Sequence, residues 1–441
     1  MNTETLHVEC GDSRALLAEL PDASVDSVVC DPPYFLNFMG RDWDKLDGNA
    51  AACPDFWRDV LRVLKPGGHL LAFGAPRTYH RLAVAVEDAG FEIRDSLHWC
   101  FGTGFPKNHD VGKAIDKAAG VERGVVGVAG QSSPRGSEIG PTGLAGGDYL
   151  NTAPATDAAK QWDGWGTALK PSHESIILAR KPLTGTVAQN VIEHGTGALN
   201  VDSCRVATGT GDDCNRTRHS ADTVGYHGGK VPFDTRTSTQ GRWPPNLLLT
   251  HAPTCTETEC AEDCPVAEMG RQSGTRKAGK GSRRGQVTTY GGTEIAPRKA
   301  GEFIHAFNDT GTAARYFPCF RYQAKAPRKE RDAGLTSPLV DTVKLNSGGM
   351  GERRRAAGQG RGRNAHPTVK PIELMRWLCR LVTPPGGLVL DPFTGSGSTG
   401  CAAALEGFRF LGFELDEGHA ETARARIEHH RKATEQCPDQ D

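Results

Sequence analysis

A chain of 441 residues is long enough for a substantial core and, at roughly 150 residues per domain, for two or three domains. Its formal net charge of -1 argues against a global attraction to polyanions, and no apolar run approaches the roughly 20 residues that span a bilayer, so no membrane partner is expected. No basic, then apolar, then small-residue pattern opens the chain, and the 13 cysteines are scattered and odd in number, as expected of a cytoplasmic protein.

Residues 5 to 105 alternate between the two apolar periods. Leu6 to Glu9 is a predicted strand and Gly11-Asp12 its turn; Ser13 to Leu20 has helical spacing, stopped by Pro21. Val25 to Cys30 is the next strand, and Phe56 to Leu64 an amphipathic helix ended by Lys65-Pro66-Gly67-Gly68. His69 to Phe73 reads as a strand, Tyr79 to Ala89 as a helix and Phe91 to Trp99 as a strand. This rhythm predicts an α/β fold with a doubly wound, mostly parallel, Rossmann-like sheet.

Periodicity then fades, and 111–170 is expected to be a flexible loop insertion, after which one strand returns at Ser175 to Ala179. From Leu183 to Asn364 only short ordered islands stand out: Leu199 to Val206, Trp243 to Leu249 and Ala314 to Tyr322. Regular pattern resumes at His366. It predicts a helix over Ile372 to Leu381, a strand over Leu388 to Asp391, a helix over Ser398 to Glu406, a strand over Phe410 to Glu414 and a helix over His419 to Arg431, then a frayed tail over 432–441.

Two motifs end strands far apart in the sequence. The later one, Asp391-Pro392-Phe393-Thr394-Gly395-Ser396-Gly397, continues to Gly400 and satisfies G-x-G-x-x-G, a weak signal by itself. Small residues are needed where backbone approaches a ligand at a helix N-terminus. An acid at the strand end, Asp391, suits a ligand with an ammonium group, such as the methionine end of S-adenosylmethionine. Glu414 ends the next strand, where a carboxylate accepts ribose hydroxyls.

The earlier motif is Asp31-Pro32-Pro33-Tyr34. Its prolines fix φ and remove two backbone donors, leaving carbonyl acceptors and a carboxylate beside a flat ring. That set suits the exocyclic amino group of a nucleobase, a poor nucleophile because its lone pair is delocalised into the ring. If Asp31 and the Pro32 carbonyl accept both N–H bonds, the nitrogen can pyramidalise toward an electrophilic methyl. Tyr34 would stack on the base, which must leave the duplex to reach the site.

With these residues together, the chain resembles an amino-directed, S-adenosylmethionine-dependent DNA methyltransferase of the permuted, phage-type kind, in which the DPPY motif precedes the cofactor loop. The resemblance covers roughly residues 5–110, 171–182 and 366–430. It implies Asp31, Pro32, Pro33 and Tyr34 as the catalytic motif. It implies Asp12, His366, Lys370, Pro371, Asp391, Pro392, Phe393, Gly395, Ser396, Gly397 and Glu414 as cofactor residues. It also implies a catalytic domain over 1–110, 171–182 and 366–431, with 183–365 as the target-recognition region. Aspartate at the first motif position points to adenine N6, with cytosine N4 as the alternative.

From Arg271 to Arg363 basic residues far outnumber acidic ones, so a basic segment hides inside a neutral total. Arg328, Lys329, Arg353, Arg354 and Arg355 are candidate phosphate contacts for double-stranded DNA, against the plainer reading of a solvated charged face. His251, Cys255, Cys260 and Cys264 form a compact cluster of soft ligands that suggests structural zinc, with unpaired thiols as the alternative. Monomer and homodimer both stay open, and a dinucleotide oxidoreductase or a non-catalytic DNA-binding protein are the rival classes.

Overall fold

The computed structural model describes residues 6–36, 44, 46, 48–102, 108–131, 148–206, 241–252, 255–256, 259–262, 264–277, 289–290, 293–294, 310–320, 328–336, 340–342, 360–362, 364, 366 and 368–436. Nine strands build its central sheet: β1 (Leu6–Cys10), β2 (Val25–Cys30), β3 (Leu64–Gly74), β4 (Glu92–Cys100), β5 (His173–Arg180), β6 (Leu247–Thr250), β7 (Cys319–Phe320), β8 (Leu388–Asp391) and β9 (Arg409–Glu414). They lie in the order β1-β9-β8-β2-β3-β5-β4-β6-β7. Neighbours pair in parallel, except that β5 runs antiparallel to both β3 and β4. The mostly parallel α/β expectation holds.

The helices, in chain order, are α1 (Ser13–Ala18), α2 (Pro54–Val63), α3 (Tyr79–Asp88), α4 (Val111–Ala118), α5 (Asp157–Gln161), α6 (Val187–His194), α7 (Pro265–Ser273), α8 (Arg328–Arg331), α9 (Ile372–Val382), α10 (Ser398–Leu405) and α11 (Glu417–Gln436). Two apolar layers sandwich the sheet. One joins the inward faces of α1, α2 and α3; the other joins α9, α10 and α11. Helix α2 shows why: Pro54 opens it where no N–H bond is lost, and Phe56, Trp57, Val60 and Val63 bury one stripe. Each such side chain contributes about 1.5–3 kcal/mol by burial. The Lys65-Pro66-Gly67-Gly68 run expected to follow this helix instead forms the start of β3, with Gly67 at φ 76°. Buried Asp26 ties three strands, bonding Lys65 Nζ at 2.6 Å and the Leu388 N–H at 2.7 Å.

Strand boundaries at β8 and β9 differ from expectation by a residue or less, whereas three larger expectations need correction. The first is the flexible insertion over 111–170. There α4 and α5 pack together beside a hairpin of Val125–Gln131 and Asp148–Thr152. Buried Asp116 organises this unit, accepting from Arg123 Nε (2.6 Å), the Ala155 and Thr156 N–H groups (both 3.0 Å) and Thr156 Oγ1 (2.8 Å). Hydrogen bonds to one carboxylate leave no apolar periodicity to read.

The second is the sharp boundary at 183. The 183–365 stretch supplies β6 and β7 to the central sheet, and its α6 packs on β3. Asn190 on α6 donates to Pro66 O (2.9 Å) and Thr196 O (2.7 Å), while Trp377 Nε1 of α9 donates to Cys204 O (3.4 Å). The third is the tail, because α11 runs through Gln436.

Candidate active site

Chain leaving β8 turns through α10 to β9 on one side, and chain leaving β2 turns through α2 to β3 on the other. The carboxyl ends of these two neighbours therefore flank a topological switch point, where open α/β sheets place their ligands. Val389 pairs with Ser27 and Leu390 with Val28, so both motifs reach the same edge.

Lys370, expected on the cofactor side, extends its ammonium into the tetrapeptide. Nζ lies 2.6 Å from Asp31 Oδ2, 3.0 Å from Tyr34 Oη and 3.4 Å from Glu174 Oε2. Tyr34 Oη donates to Glu174 Oε2 at 2.9 Å. The ammonium also sits 4.8 Å from the Phe73 ring centroid and 5.2 Å from that of Tyr34. Burial alone would lower the Lys370 pKa, but the charges of Asp31 and Glu174 outweigh it and hold the group above its ordinary value. Burial, then the same two carboxylates, keeps the Tyr34 phenol well above its usual range, so it stays a neutral donor. Asp31 Oδ1 is buried without a hydrogen-bond partner among the described residues. One carboxylate oxygen is thus fixed and the other left as an open acceptor.

The turn after the motif is held by two residues absent from the sequence reading. Asp44 accepts from the Tyr34 N–H (2.8 Å) and the Leu36 N–H (3.2 Å), and Thr78 Oγ1 donates to Tyr34 O (2.6 Å). Phe35 between them has φ 57°, a costly conformation for a bulky residue.

Across the edge, Asp391 is buried and accepts from Thr399 Oγ1 (2.6 Å) and the Phe393 N–H (3.0 Å). Burial pushes its pKa up to about 7, with the nearby Asp31 and Glu414 charges adding to burial and those two hydrogen bonds opposing it. A buried carboxylate so destabilised as an anion is a fitting seat for a ligand cation. Glu414 accepts from the Gly395 N–H (2.7 Å) and the Asp416 N–H (3.0 Å). Asp12 caps α1 through the Arg14 N–H (2.9 Å), and its neighbour Ser13 donates to Pro392 O (2.6 Å), so the β1 turn abuts the glycine loop. Phe393 packs on Phe56 at 5.2 Å between centroids. Arg426 Nη1 of α11 donates to the Ser396 carbonyl and, at 3.0 Å, to its hydroxyl.

His366 lies over this loop: a Cβ at Gly395 (φ 54°) would come within 2.8 Å of His366 Nε2. Burial, then His419, pushes the His366 pKa down to about 4, so the ring is neutral. Pro371 caps α9 and its carbonyl accepts from the Met375 N–H at 3.1 Å.

The structure thus brings Asp12, Asp31 to Tyr34, His366, Lys370, Pro371, the 391–397 loop and Glu414 together. Arg328 and Lys329 begin α8 and their side chains are not described, and Arg353, Arg354 and Arg355 lie outside the described residues. His251, Cys255, Cys260 and Cys264 converge elsewhere, beyond β6 at the far side of the sheet. Glu174 was missed because it begins a strand whose direction the sequence does not reveal.

A family model described as DNA methylase matches residues 25–425, and the chain belongs to that family. Over 75 residues it is 40% identical to the putative methylase YubD of Escherichia coli (strain K12), covering 17% of this chain and 33% of that one. Over 182 residues it is 29% identical to the type II methyltransferase M.HindIII of Haemophilus influenzae (strain Rd), covering 40% of this chain and 48% of that one. The chain therefore spans a third to about half the length of these curated relatives. Among solved structures, the cytosine-N4-specific PvuII DNA methyltransferase aligns over 97% of this chain and 87% of its own at 12% identity, with a TM-score of 0.42.

Among the described residues no helix is long and apolar enough to cross a membrane.

Proposed function

We propose that this protein methylates the exocyclic N6 amino group of an adenine swung out of duplex DNA at a specific sequence. The observation that carries the reading is Asp31 itself. Its Oδ2 is pinned by Lys370 and its buried Oδ1 is open, at an edge shared with Asp391.

S-adenosylmethionine, held by Asp391, the 395–397 backbone and Glu414, supplies an electrophilic methyl group. Asp31 Oδ1 and the Pro32 carbonyl accept the two N–H bonds of the amino group and draw its lone pair out of conjugation. Lys370 holds the Asp31 carboxylate in place while this happens. Tyr34 bears on the base with its ring while its hydroxyl is tied to Glu174. Once the methyl is transferred, the amino nitrogen carries a positive charge, and its excess proton leaves through Asp31 or directly to water.

The adjacency of β2 and β8 despite their distance in the chain supports a permuted order, with chemistry first and cofactor loop last. In this reading Arg328, Lys329 and Arg353 to Arg355 meet DNA phosphates.

The test is transfer of tritium from labelled S-adenosylmethionine to unmethylated genomic DNA, followed by digestion to nucleosides. Label in N6-methyl-2′-deoxyadenosine supports the reading; label in N4-methyl-2′-deoxycytidine moves the assignment to cytosine. Absence of label in DNA overturns it. Asp31→Ala should abolish transfer while leaving cofactor binding intact.

A further inference from the structure

Beyond β6 the backbone folds back on itself with little apolar support. The local core is small, comprising Leu249, Ala252, Cys264 and Val266 with partly buried neighbours. Yet four soft donors from this stretch meet. The ligand atoms of His251, Cys255, Cys260 and Cys264 all lie within 4.8 Å of one another. His251 directly follows β6, Cys264 caps the N-terminus of α7, and Cys255 and Cys260 flank the turn between them.

Two edges of the cluster have the length a zinc tetrahedron requires. With zinc–sulfur bonds of about 2.3 Å and a zinc–nitrogen bond of about 2.0–2.1 Å, the sulfur–nitrogen edges of a tetrahedron are about 3.5–3.6 Å. Here His251 Nδ1 lies 3.4 Å from Cys260 Sγ and 3.6 Å from Cys264 Sγ. The Ala261 N–H donates to Cys255 Sγ at 3.2 Å, which holds that sulfur in place within the cluster. None of the three cysteines is in a disulfide. Thiol hydrogen bonds to the imidazole would account for these two contacts, but not for a third sulfur, that of Cys255, gathered into the same cluster.

We infer that His251, Cys255, Cys260 and Cys264 bind one structural zinc ion that fastens the outer edge of the catalytic sheet to the region carrying α7. Binding deprotonates three thiols, releases three protons to solvent and uses the lone pair of a neutral imidazole. Four protein ligands close the coordination sphere, which makes the ion structural rather than catalytic. Its leverage comes from connectivity. The His251 N–H donates to Phe320 O at 2.9 Å, so the first ligand also pairs with β7. Thr250, one residue earlier, accepts from Trp99 Nε1 of β4 at 2.7 Å. The ion would thus fix β6, β7 and α7 as one block, in a segment whose apolar core is too small to do so. This inference does not depend on which base is methylated, or on whether any base is.

The experiment is metal analysis of the full-length protein purified without chelator from zinc-supplemented cells. About one zinc per chain is expected. His251→Ala and Cys260→Ser should each lose it, and Cys319→Ser, a nearby cysteine outside the cluster, should keep it. A variant that misfolds would also lose zinc, so cobalt exchange into the wild-type protein provides an independent reading, with intense thiolate-to-cobalt charge transfer and tetrahedral d–d bands expected. Less than about a tenth of an equivalent of zinc together with a featureless cobalt spectrum overturns the proposal. So does a disulfide within the cluster, or loss of zinc from Cys319→Ser alone.

Discussion

The ammonium of Lys370 and the carboxylate of Asp31 meet at 2.6 Å although 339 residues separate them in the chain. Lys370 is buried and Asp31 partly buried, and the pair is completed by Tyr34 and Glu174. Replacing Lys370 with Met would strand the Asp31 charge. Methyl transfer should fall by about a hundredfold or more in kcat. Stability should fall by about 3 kcal/mol, since breaking a buried pair from one side costs more than the pair is worth. Steady-state transfer assays and thermal melts check this; a variant that keeps wild-type kcat removes Lys370 from the mechanism.

Asp391 gives a pH signature. Its pKa is raised to about 7, so below neutrality the free protein carries a proton there that an ammonium-bearing ligand must displace. S-adenosylmethionine affinity should therefore rise as pH increases through about 7. For the ligand-free fold the sign is opposite. A carboxyl whose folded pKa exceeds its unfolded value near 3.8 favours the folded state at low pH, and that contribution is lost as pH climbs toward 7. Calorimetric titration from pH 6 to 8 reads the first effect, and Asp391→Asn should flatten it. A wild-type profile already flat would contradict the assignment.

Glu174 is one of the residues that the structure adds to the site. Glu174→Gln keeps its shape but removes a charge shared by Tyr34 Oη and Lys370 Nζ. About a tenfold loss of kcat is expected, equivalent to one charge-assisted hydrogen bond, with little change in the KM for the methyl donor. A pure KM effect would mean that Glu174 serves binding instead.

The 108–167 unit should be sensitive to acid. Although burial opposes ionisation, four donors hold the Asp116 pKa well below the ordinary carboxylate value. Such a group stabilises the fold above its unfolded pKa near 3.8, and the contribution disappears as pH falls toward its depressed folded value. Limited proteolysis from pH 5 down to 3 should cut this unit before the central sheet, and Asp116→Asn should bring the same cleavage at neutral pH.

What was readable in the sequence follows from where the information sits. Strands β2 and β8 announce themselves because both are buried along their length, so short apolar runs, Val28 to Cys30 and Leu388 to Leu390, lead directly into Asp31 and Asp391. The glycine pattern was readable too, but its reasons differ by position. Gly395 makes room for His366, whereas a Cβ on Gly397 would meet Ala423 Cβ at 2.9 Å and one on Gly400 would meet Ile427 Cδ1 at 2.3 Å, both on α11. The last glycine therefore serves helix packing, not ligand approach. Asp116, Asp44 and Glu174 were unreadable for one reason: each works through partners distant in the chain or through backbone N–H groups, and neither leaves a periodic trace. The contribution of 183–365 to the sheet was hidden because β6 and β7 are only four and two residues long.

The reversed direction of β5 has one more consequence. Because β4 and β5 form an antiparallel pair, Cys100 faces His173, and the Phe101 N–H donates to Ser172 O at 2.9 Å. Everything between these points leaves and re-enters the sheet through a single doorway, beside the strand start that delivers Glu174. The length of that excursion is therefore not set by the strands it joins, because its two ends are already neighbours in the sheet. Those ends also adjoin Glu174, which reaches Asp31's partner Lys370, so the excursion starts and finishes beside the candidate site.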